Sequence, residues 1–176
     1  MQKKNTSTQF IIIFSLTLLS LFTLELLAIT QNTLIIPWTH FLAQLSSNIV
    51  QLFDSQTIAQ GVVLRDINSG FAVSIQPGCN GIEAIIVLIA AMIAYPAPLE
   101  AKIKGMIIGF IAIQLLNVIR IISLFYLGQW NQTAFEWAHK YVWQALIMLD
   151  VLIVFILWIR FMKKPAEENE EKHHAG

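Results

Sequence analysis

Three side chains in this sequence are of the types that catalyse acyl transfer: Cys79, Arg120 and His139. A cysteine thiolate attacks a peptide carbonyl, an arginine guanidinium stabilises the negative charge that develops on the carbonyl oxygen, and a histidine protonates the leaving amine. The three residues are far apart in the sequence, so the folded chain has to bring them together. Whether they meet depends on the elements on which they lie.

Cys79 is the only cysteine of the chain, and it lies between the turn-forming pairs Pro77-Gly78 and Asn80-Gly81. A single cysteine excludes an intramolecular disulfide and a thiolate-rich metal site, and we expect neither a metal nor a cofactor. An apolar run follows directly. If that run is a helix, its free amides and the positive end of its dipole favour the thiolate over the thiol. The alternative is a buried and inert cysteine.

The composition indicates an integral membrane protein. Of 176 residues, 56% are hydrophobic and 12% are charged, whereas soluble domains usually have about 25% charged residues. The 11 basic and 11 acidic side chains cancel, so the chain has no strong global field that would attract nucleic acid. We expect membrane lipid, and no nucleic acid, among its partners.

Four apolar segments approach the roughly 20 residues that a spanning helix needs: 10–29, 82–99, 105–127 and 141–162. The first is longer than the core of a signal peptide and no clear small-residue cleavage site follows it, so it is interpreted as a retained anchor. The fold class predicted is an all-α integral membrane protein with about four transmembrane helices. Residues 1–164 would form a single membrane-embedded domain, and residues 165–176 a polar cytoplasmic tail.

Basic residues predict the orientation, because lysine and arginine concentrate on the cytoplasmic side of membrane proteins. In a four-span protein three basic clusters share one side: Lys3 and Lys4, Lys102 and Lys104, and Arg160, Lys163 and Lys164. Both termini would then be cytoplasmic, in a multi-pass protein of the bacterial inner membrane. Residues 30–81 and 128–140 would lie on the periplasmic side.

The segment 30–81 contains two further patterns. Apolar residues recur at helical spacing, which predicts a short interfacial helix on the membrane surface: Leu42, Leu45, Ile49 and Leu52. Residues 62–64 and 71–75, separated by a turn at 68–70, predict a small extracytoplasmic β-hairpin. Its second strand would offer an edge to an extended peptide.

Arg120 falls about 22 Å along the third span, near the periplasmic side. An arginine inside a span costs at least roughly 2–3 kcal/mol, which makes it a functional candidate, although snorkelling to outer phosphates is the alternative. Asn117 lies on the same helical face and would orient the guanidinium.

His139 precedes the fourth span on the same side, where a lone histidine is most often an ordinary interfacial residue. The coincidence of three helices at one depth favours a site.

Two supporting residues lie beside Cys79. Glu83 comes one turn later and would form a hydrogen bond near the site, although a glutamate at a helix N-terminus is equally well explained by the interface alone. Asn80 follows the cysteine directly. We assign Asn80, Glu83 and Asn117 as supporting residues and Cys79, Arg120 and His139 as catalytic candidates.

The runs Pro77-Gly78-Cys79-Asn80-Gly81-Ile82-Glu83 and Asn117-Val118-Ile119-Arg120-Ile121, followed by His139, resemble the exosortase/archaeosortase family, most closely the compact exosortase H type. The resemblance covers residues 60–162. It implies a membrane-embedded cysteine protease or transpeptidase (a protein-sorting hydrolase). In it Cys79 is the nucleophile, Arg120 stabilises the oxyanion and substrate, and His139 is the general acid and base.

The resemblance also implies the substrates: exported proteins with a C-terminal recognition motif, a transmembrane helix and a basic cytoplasmic end. In the exosortase H type the motif would be of an Ile-Pro-Thr-Leu kind. Cleavage would occur at the outer face of the membrane, with water or a surface acceptor taking the acyl group. Larger family members have around eight spans, twice the number predicted here.

Two other functions are compatible with the sequence. A non-catalytic membrane subunit that assists polysaccharide or protein export would explain the small size and the plain helices. A small transporter would need a polar path across the bilayer, for which the candidates are Asp150, Gln114 and Asn117.

Overall fold

The structure is a computed structural model that describes the backbone of residues 2–174 and the side chains of residues 7–162. The helices are α1 (Gln2–Leu26), α2 (Ala28–Thr30), α3 (Ile36–Val50), α4 (Ile82–Ala94), α5 (Leu99–Trp130), α6 (Gln132–Trp137) and α7 (Trp143–His174). Two π-helical turns, Gln31–Ile35 and Ala138–Val142, precede α3 and α7. The strands are β1 (Thr57–Gln60), β2 (Val63–Asp66) and β3 (Ala72–Ser74). The side chains of the predicted polar tail, 165–176, lie outside the described residues.

Three helical stretches of the described chain are long and apolar enough to cross a membrane: Ser7–Leu26, Leu99–Trp130 and Gln132–Met162. They correspond to the first, third and fourth predicted spans. The second predicted span is shorter than expected, because α4 has 13 residues. Tyr95 already has an extended backbone, with ψ at 133°, and Pro96 disfavours a helical conformation of the residue before it. The predicted fold class, a helical membrane protein with a small β element, is confirmed.

The helical bundle has its own apolar core. Helix α1 packs along α4, and α4, α5 and α7 pack against one another. Side chains from the last three helices fill the space between them: Leu88, Met92, Ile113, Val151 and Trp158. The indole nitrogen of Trp158 donates a hydrogen bond to the carbonyl of Ala101 at 2.9 Å, which fastens α7 to the first turn of α5.

A three-stranded antiparallel sheet covers the bundle at the end of α5 opposite to Leu99. Its strand order is β1-β2-β3, with Thr57 opposite Asp66 and Val63 opposite Ser74. The hairpin of β2 and β3 is the one predicted, and its turn contains Gly70 with φ at +71°. Strand β1 is an addition, since Thr57–Gln60 has no apolar-polar alternation that would predict a strand.

The predicted interfacial helix is α3, and its apolar side is covered by protein. Leu42 and Val50 are buried in a second core with Leu64 of β2 and Phe125 of α5. Leu52 lies past the end of the helix and is exposed. Helical spacing of leucines specifies an apolar face, but it does not tell whether lipid or the rest of the chain covers that face. The sheet, α3 and the second half of α5 therefore form one packed unit around the loop before α4.

Candidate active site

The loop between β3 and α4 presents Cys79. The backbone of Gly78 (φ +83°) and of Gly81 (φ +76°) is left-handed, a conformation that side chains other than glycine disfavour. The amide of Cys79 donates to the carbonyl of Gln76 at 2.9 Å, which closes a turn. Cys79 is thus held at the tip of a tight turn, between two positions whose backbone conformation favours glycine.

Side chains from α4 and α5 bind the first half of this loop. The Gly78 amide donates to Glu83 Oε1, and Nη1 of Arg120 donates to the Gly78 carbonyl at 3.1 Å. Both main-chain polar groups of Gly78 are therefore bound by charged side chains of opposite sign. Glu83 therefore lies against the loop that carries Cys79.

Asn80 anchors the second half of the loop and is fully buried. Its Nδ2 donates to Thr39 Oγ1 of α3 at 3.2 Å, and its Oδ1 accepts from the amide of Ile82 at 3.1 Å. The Asn80 carbonyl accepts a hydrogen bond from Gln114 Nε2 of α5 at 3.2 Å. Three helices therefore hold one asparagine, which fixes the loop relative to the bundle.

Arg120 contacts the cysteine itself. Its Nη2 lies 3.4 Å from Sγ of Cys79 and donates to it, and the whole side chain is 2% exposed. The Nε atom is buried without a hydrogen-bond partner among the described residues. The guanidinium is therefore directed into the protein, and the snorkelling alternative does not describe it.

His139 lies close to the same sulfur. Both of its ring nitrogens lie 4.0 Å from Sγ of Cys79, so the geometry does not single out one of them as the base. Its ring stacks on Phe135, with centroids 5.7 Å apart and planes 4° apart, and Phe135 contacts the edge of Phe71 next to β3. Phe71 and Phe135 thus connect the sheet to His139, and the stacking on Phe135 fixes the plane of the imidazole ring.

The three catalytic candidates line one cleft of about 260 Å³. Its walls are the β3 strand and the following loop on one side, and α5 and α6 on the other. Ile121, Leu124 and Phe135 make much of the lining apolar. Among the described residues, no three histidine, cysteine, aspartate or glutamate side chains are grouped so as to hold a metal ion.

Burial raises the pKa of the Cys79 thiol. The nearby positive charge of Arg120 lowers that pKa by a smaller amount, and the negative charge of Glu83 raises it further. The sequence predicts the opposite, a thiolate favoured by the start of α4. The prediction is wrong because removal of the sulfur from water disfavours its charged form more strongly than the neighbouring groups favour it. The raised pKa favours the thiol at neutral pH, so a neighbouring base would have to accept its proton before the sulfur acts as a nucleophile.

Asn117 differs from its predicted role. Its amide atoms are buried and have no hydrogen-bond partner among the described residues, so it does not orient Arg120. Instead its amide group lies 3.4 Å from the point that a Cβ atom on Gly81 would occupy, and Gln114 Nε2 lies 2.9 Å from that point. Asn117 and Gln114 therefore pack under the loop, which does not leave them free to form a transport path.

Sequence reasoning missed three residues of this site: Thr39, Gln114 and Phe135. Gln114 lies three positions before Asn117 on the same helical face, so a search for polar residues around Arg120 would have found it. Thr39 reaches Asn80 across 41 positions of sequence, and no local pattern marks it. Phe135 is four positions before His139, a spacing that predicts contact on a helix.

Fold and site together define a helical membrane protein with a cysteine, arginine and histidine in one cleft. Residues 6–158, most of the chain, match the family model of transmembrane exosortases (Exosortase_EpsH). The protein belongs to the transmembrane exosortase family, as the resemblance predicts. No curated protein and no solved structure gives a significant match.

Proposed function

We propose that the protein is a membrane-embedded cysteine peptidase or transpeptidase that cleaves C-terminal sorting signals of helix-anchored exported proteins. One observation carries the proposal: Sγ of Cys79 lies 3.4 Å from a buried guanidinium and 4.0 Å from an imidazole, in a single cleft. Nucleophile, oxyanion stabiliser and acid-base group are the parts that acyl transfer needs. Membership of the exosortase family supports the same activity.

The reaction follows from these positions. His139 accepts the proton of the Cys79 thiol, and Sγ attacks the carbonyl carbon of the scissile peptide bond. An N–H group of Arg120 that the loop does not use donates to the oxyanion, since a guanidinium has five such donors. His139 then protonates the leaving amine as the C–N bond breaks, which leaves a thioester on Cys79. Water or an acceptor nucleophile gives a proton to His139, attacks the thioester and restores the thiol.

The proposed substrates carry a recognition motif, a transmembrane helix and a basic cytoplasmic end. Lys102 and Lys104 support this orientation, because they lie near the start of α5, whereas the cleft lies at the other end of that helix. Basic residues favour the cytoplasmic side. The termini would then be cytoplasmic, and the cleft would face the periplasm of the inner membrane, where the motif of an anchored substrate emerges.

A tripartite reporter tests the activity: an exported protein followed by Ile-Pro-Thr-Leu, an apolar helix and a basic end, co-expressed with the enzyme. We expect Cys79→Ala, Cys79→Ser, Arg120→Ala and His139→Ala to remain in the membrane and to lose reporter cleavage. Matched controls are Arg65→Ala and His40→Ala, whose side chains are exposed and do not line the cleft, and these should cleave normally. Cleavage by Cys79→Ala would overturn the proposal.

The single cysteine also tests the orientation. In sealed inner-membrane vesicles of known sidedness, a membrane-impermeant maleimide should label Cys79 from the periplasmic face. Labelling from the cytoplasmic face alone would contradict the proposed topology. If all three catalytic candidates tolerated substitution, a non-catalytic subunit for export would explain the family fold better.

A further inference from the structure

Strand β3 is an edge strand, and it lies next to the candidate nucleophile. The sheet order β1-β2-β3 leaves one side of β3 without a neighbouring strand in the described chain, residues 2–174. An unpaired strand edge is a template for pairing with another extended chain. Edges of this kind are usually blocked by charge, by proline or by a covering element, and β3 (Ala72, Val73 and Ser74) has neither charge nor proline.

The main-chain groups that face this free edge can be identified from the ladder. The amide of Asp66 donates to the Phe71 carbonyl and the amide of Ile75 donates to the Val62 carbonyl, each at 2.9 Å, so Phe71 and Ile75 direct their polar groups to β2. Successive residues of an antiparallel strand direct these groups to opposite sides. Ala72 and Ser74 therefore turn their N–H and C=O groups away from β2.

The free edge and the nucleophile share one cleft. Ala72, Ser74 and Cys79 all line it, and Leu124 and Phe135 form part of the opposite wall. A strand paired with β3 would lie about 4.8 Å from it, whereas a helix with its side chains is about 10–12 Å wide. A cleft of about 260 Å³ suits an extended segment better than a helix.

We propose that the substrate binds as an added strand on the free edge of β3, with its scissile carbonyl delivered to Cys79. This inference rests on the proposed function and specifies the conformation and the position of the bound motif. The side chains of an added strand alternate between two sides. One set would contact Ile121, Leu124 and Phe135, and the other set would face out of the cleft. The cleft would therefore select an extended, uncharged substrate segment with an apolar residue at every second position.

Proline substitutions test the edge without disturbing the ladder to β2. Ala72→Pro and Ser74→Pro remove the two N–H groups that face outward, and proline is tolerated at such edge positions. The double variant should cleave the tripartite reporter about tenfold more slowly, since each lost hydrogen bond has a modest net value. The comparison variants Ala72→Ser and Ser74→Ala keep both outward N–H groups and should cleave faster than the double proline variant. An equal loss of cleavage in the two pairs of variants would overturn the inference. An unchanged alkylation rate of Cys79 in the proline variant would show that the loop is intact.

Disulfide mapping tests the same inference without any turnover. In the Cys79→Ser background, Ala72→Cys or Ser74→Cys is combined with a reporter that carries one cysteine at successive positions of its motif. Strand addition predicts crosslinks at alternate reporter positions, with the pattern displaced by two residues between the two variants. Equal crosslinking at consecutive positions, or a disulfide between two copies of the enzyme in place of the reporter, would overturn the inference. Since this assay needs no cleavage, its failure is distinguishable from failure of the proposed function.

Discussion

One guanidinium joins the loop and the nucleophile: Nη1 of Arg120 donates to the Gly78 carbonyl at 3.1 Å, while Nη2 donates to Sγ of Cys79 at 3.4 Å. The planar fork of arginine makes both contacts at once, whereas a lysine ammonium is a point charge. The geometry of the loop and the ionisation of the thiol therefore depend on one buried side chain. Substitutions that keep or remove its charge separate these two effects.

Arg120→Gln should lower the fraction of Cys79 that is present as thiolate. The charge of Arg120 opposes the effect of burial on the Cys79 pKa, so its loss moves that pKa further above the ordinary value for cysteine. Because only the thiolate reacts, alkylation by a maleimide at a fixed pH near 8 should slow by several fold. The measurement is the pH profile of the alkylation rate in detergent.

Arg120→Lys is the matched variant, because it keeps the positive charge and loses the fork. Its alkylation profile should stay near that of the wild type, while reporter cleavage falls. If Arg120→Gln were alkylated as fast as the wild type at every pH, the proposed electrostatic contact would be wrong.

Glu83→Gln should shift the same profile in the opposite direction. The carboxylate raises the pKa of the Cys79 thiol, and the amide oxygen of glutamine can still accept the hydrogen bond from Gly78. The alkylation rate at neutral pH should rise, and its midpoint should move to lower pH. Glu83→Ala removes the acceptor as well and serves as the comparison. A midpoint that moves to higher pH in Glu83→Gln would contradict the assigned effect of the charge.

Gly81→Ala should destabilise the loop. The left-handed backbone costs about 1–2 kcal/mol for an alanine, and the new Cβ would meet Gln114 Nε2 at 2.9 Å. Gly70→Ala is a matched control, because Gly70 also has a positive φ but has no atom within 4 Å of such a Cβ. We expect a larger fall in the thermal unfolding midpoint for Gly81→Ala, together with loss of reporter cleavage. Equal effects of the two variants would show that packing under the loop is unimportant.

Phe135→Leu should reduce the cleavage rate through the position of His139. The stacked ring of Phe135 fixes the plane of the imidazole, and leucine is apolar but cannot stack in this way. We expect the maximal rate of reporter cleavage to fall by several fold, and by more than the change in the substrate concentration needed for half of that rate, because leucine keeps an apolar contact in the cleft. Trp130→Leu, at an aromatic side chain that is 81% exposed, is the control and should behave as the wild type. A fall confined to substrate affinity would count against a positioning role.

The long helices and the β2–β3 hairpin could be predicted from sequence, because helical and alternating apolar patterns are local. The length of α4 could have been anticipated, since Pro96 sets its end. The burial of α3 against the rest of the chain could not have been anticipated, because either lipid or protein can cover a stripe of leucines. Strand β1 carries no pattern of its own and depends on its pairing with β2.

The sequence marks the central members of the candidate site and two supporting residues, Asn80 and Glu83, but it does not mark the partners that hold Asn80. Cys79 and Arg120 stood out because a cysteine between turns and an arginine in a span are unusual. The bonds between Asn80 and Thr39, and between Asn80 and Gln114, join residues 41 and 34 positions apart, and only the folded chain reveals them. The raised pKa of Cys79 depends on burial, which a helix-terminus argument does not include.

The shortness of α4 has a consequence for where the chemistry would occur. Thirteen residues rise about 20 Å, whereas the hydrocarbon layer is about 30 Å thick. Helix α4 alone is therefore about 10 Å shorter than that layer, and the polar groups of the Cys79 loop that precedes it have internal partners in Glu83, Arg120 and Gln114. We therefore expect bilayer thickness to control the access of water to Cys79: a thinner membrane should bring the sulfur nearer to water, and a thicker one should shield it.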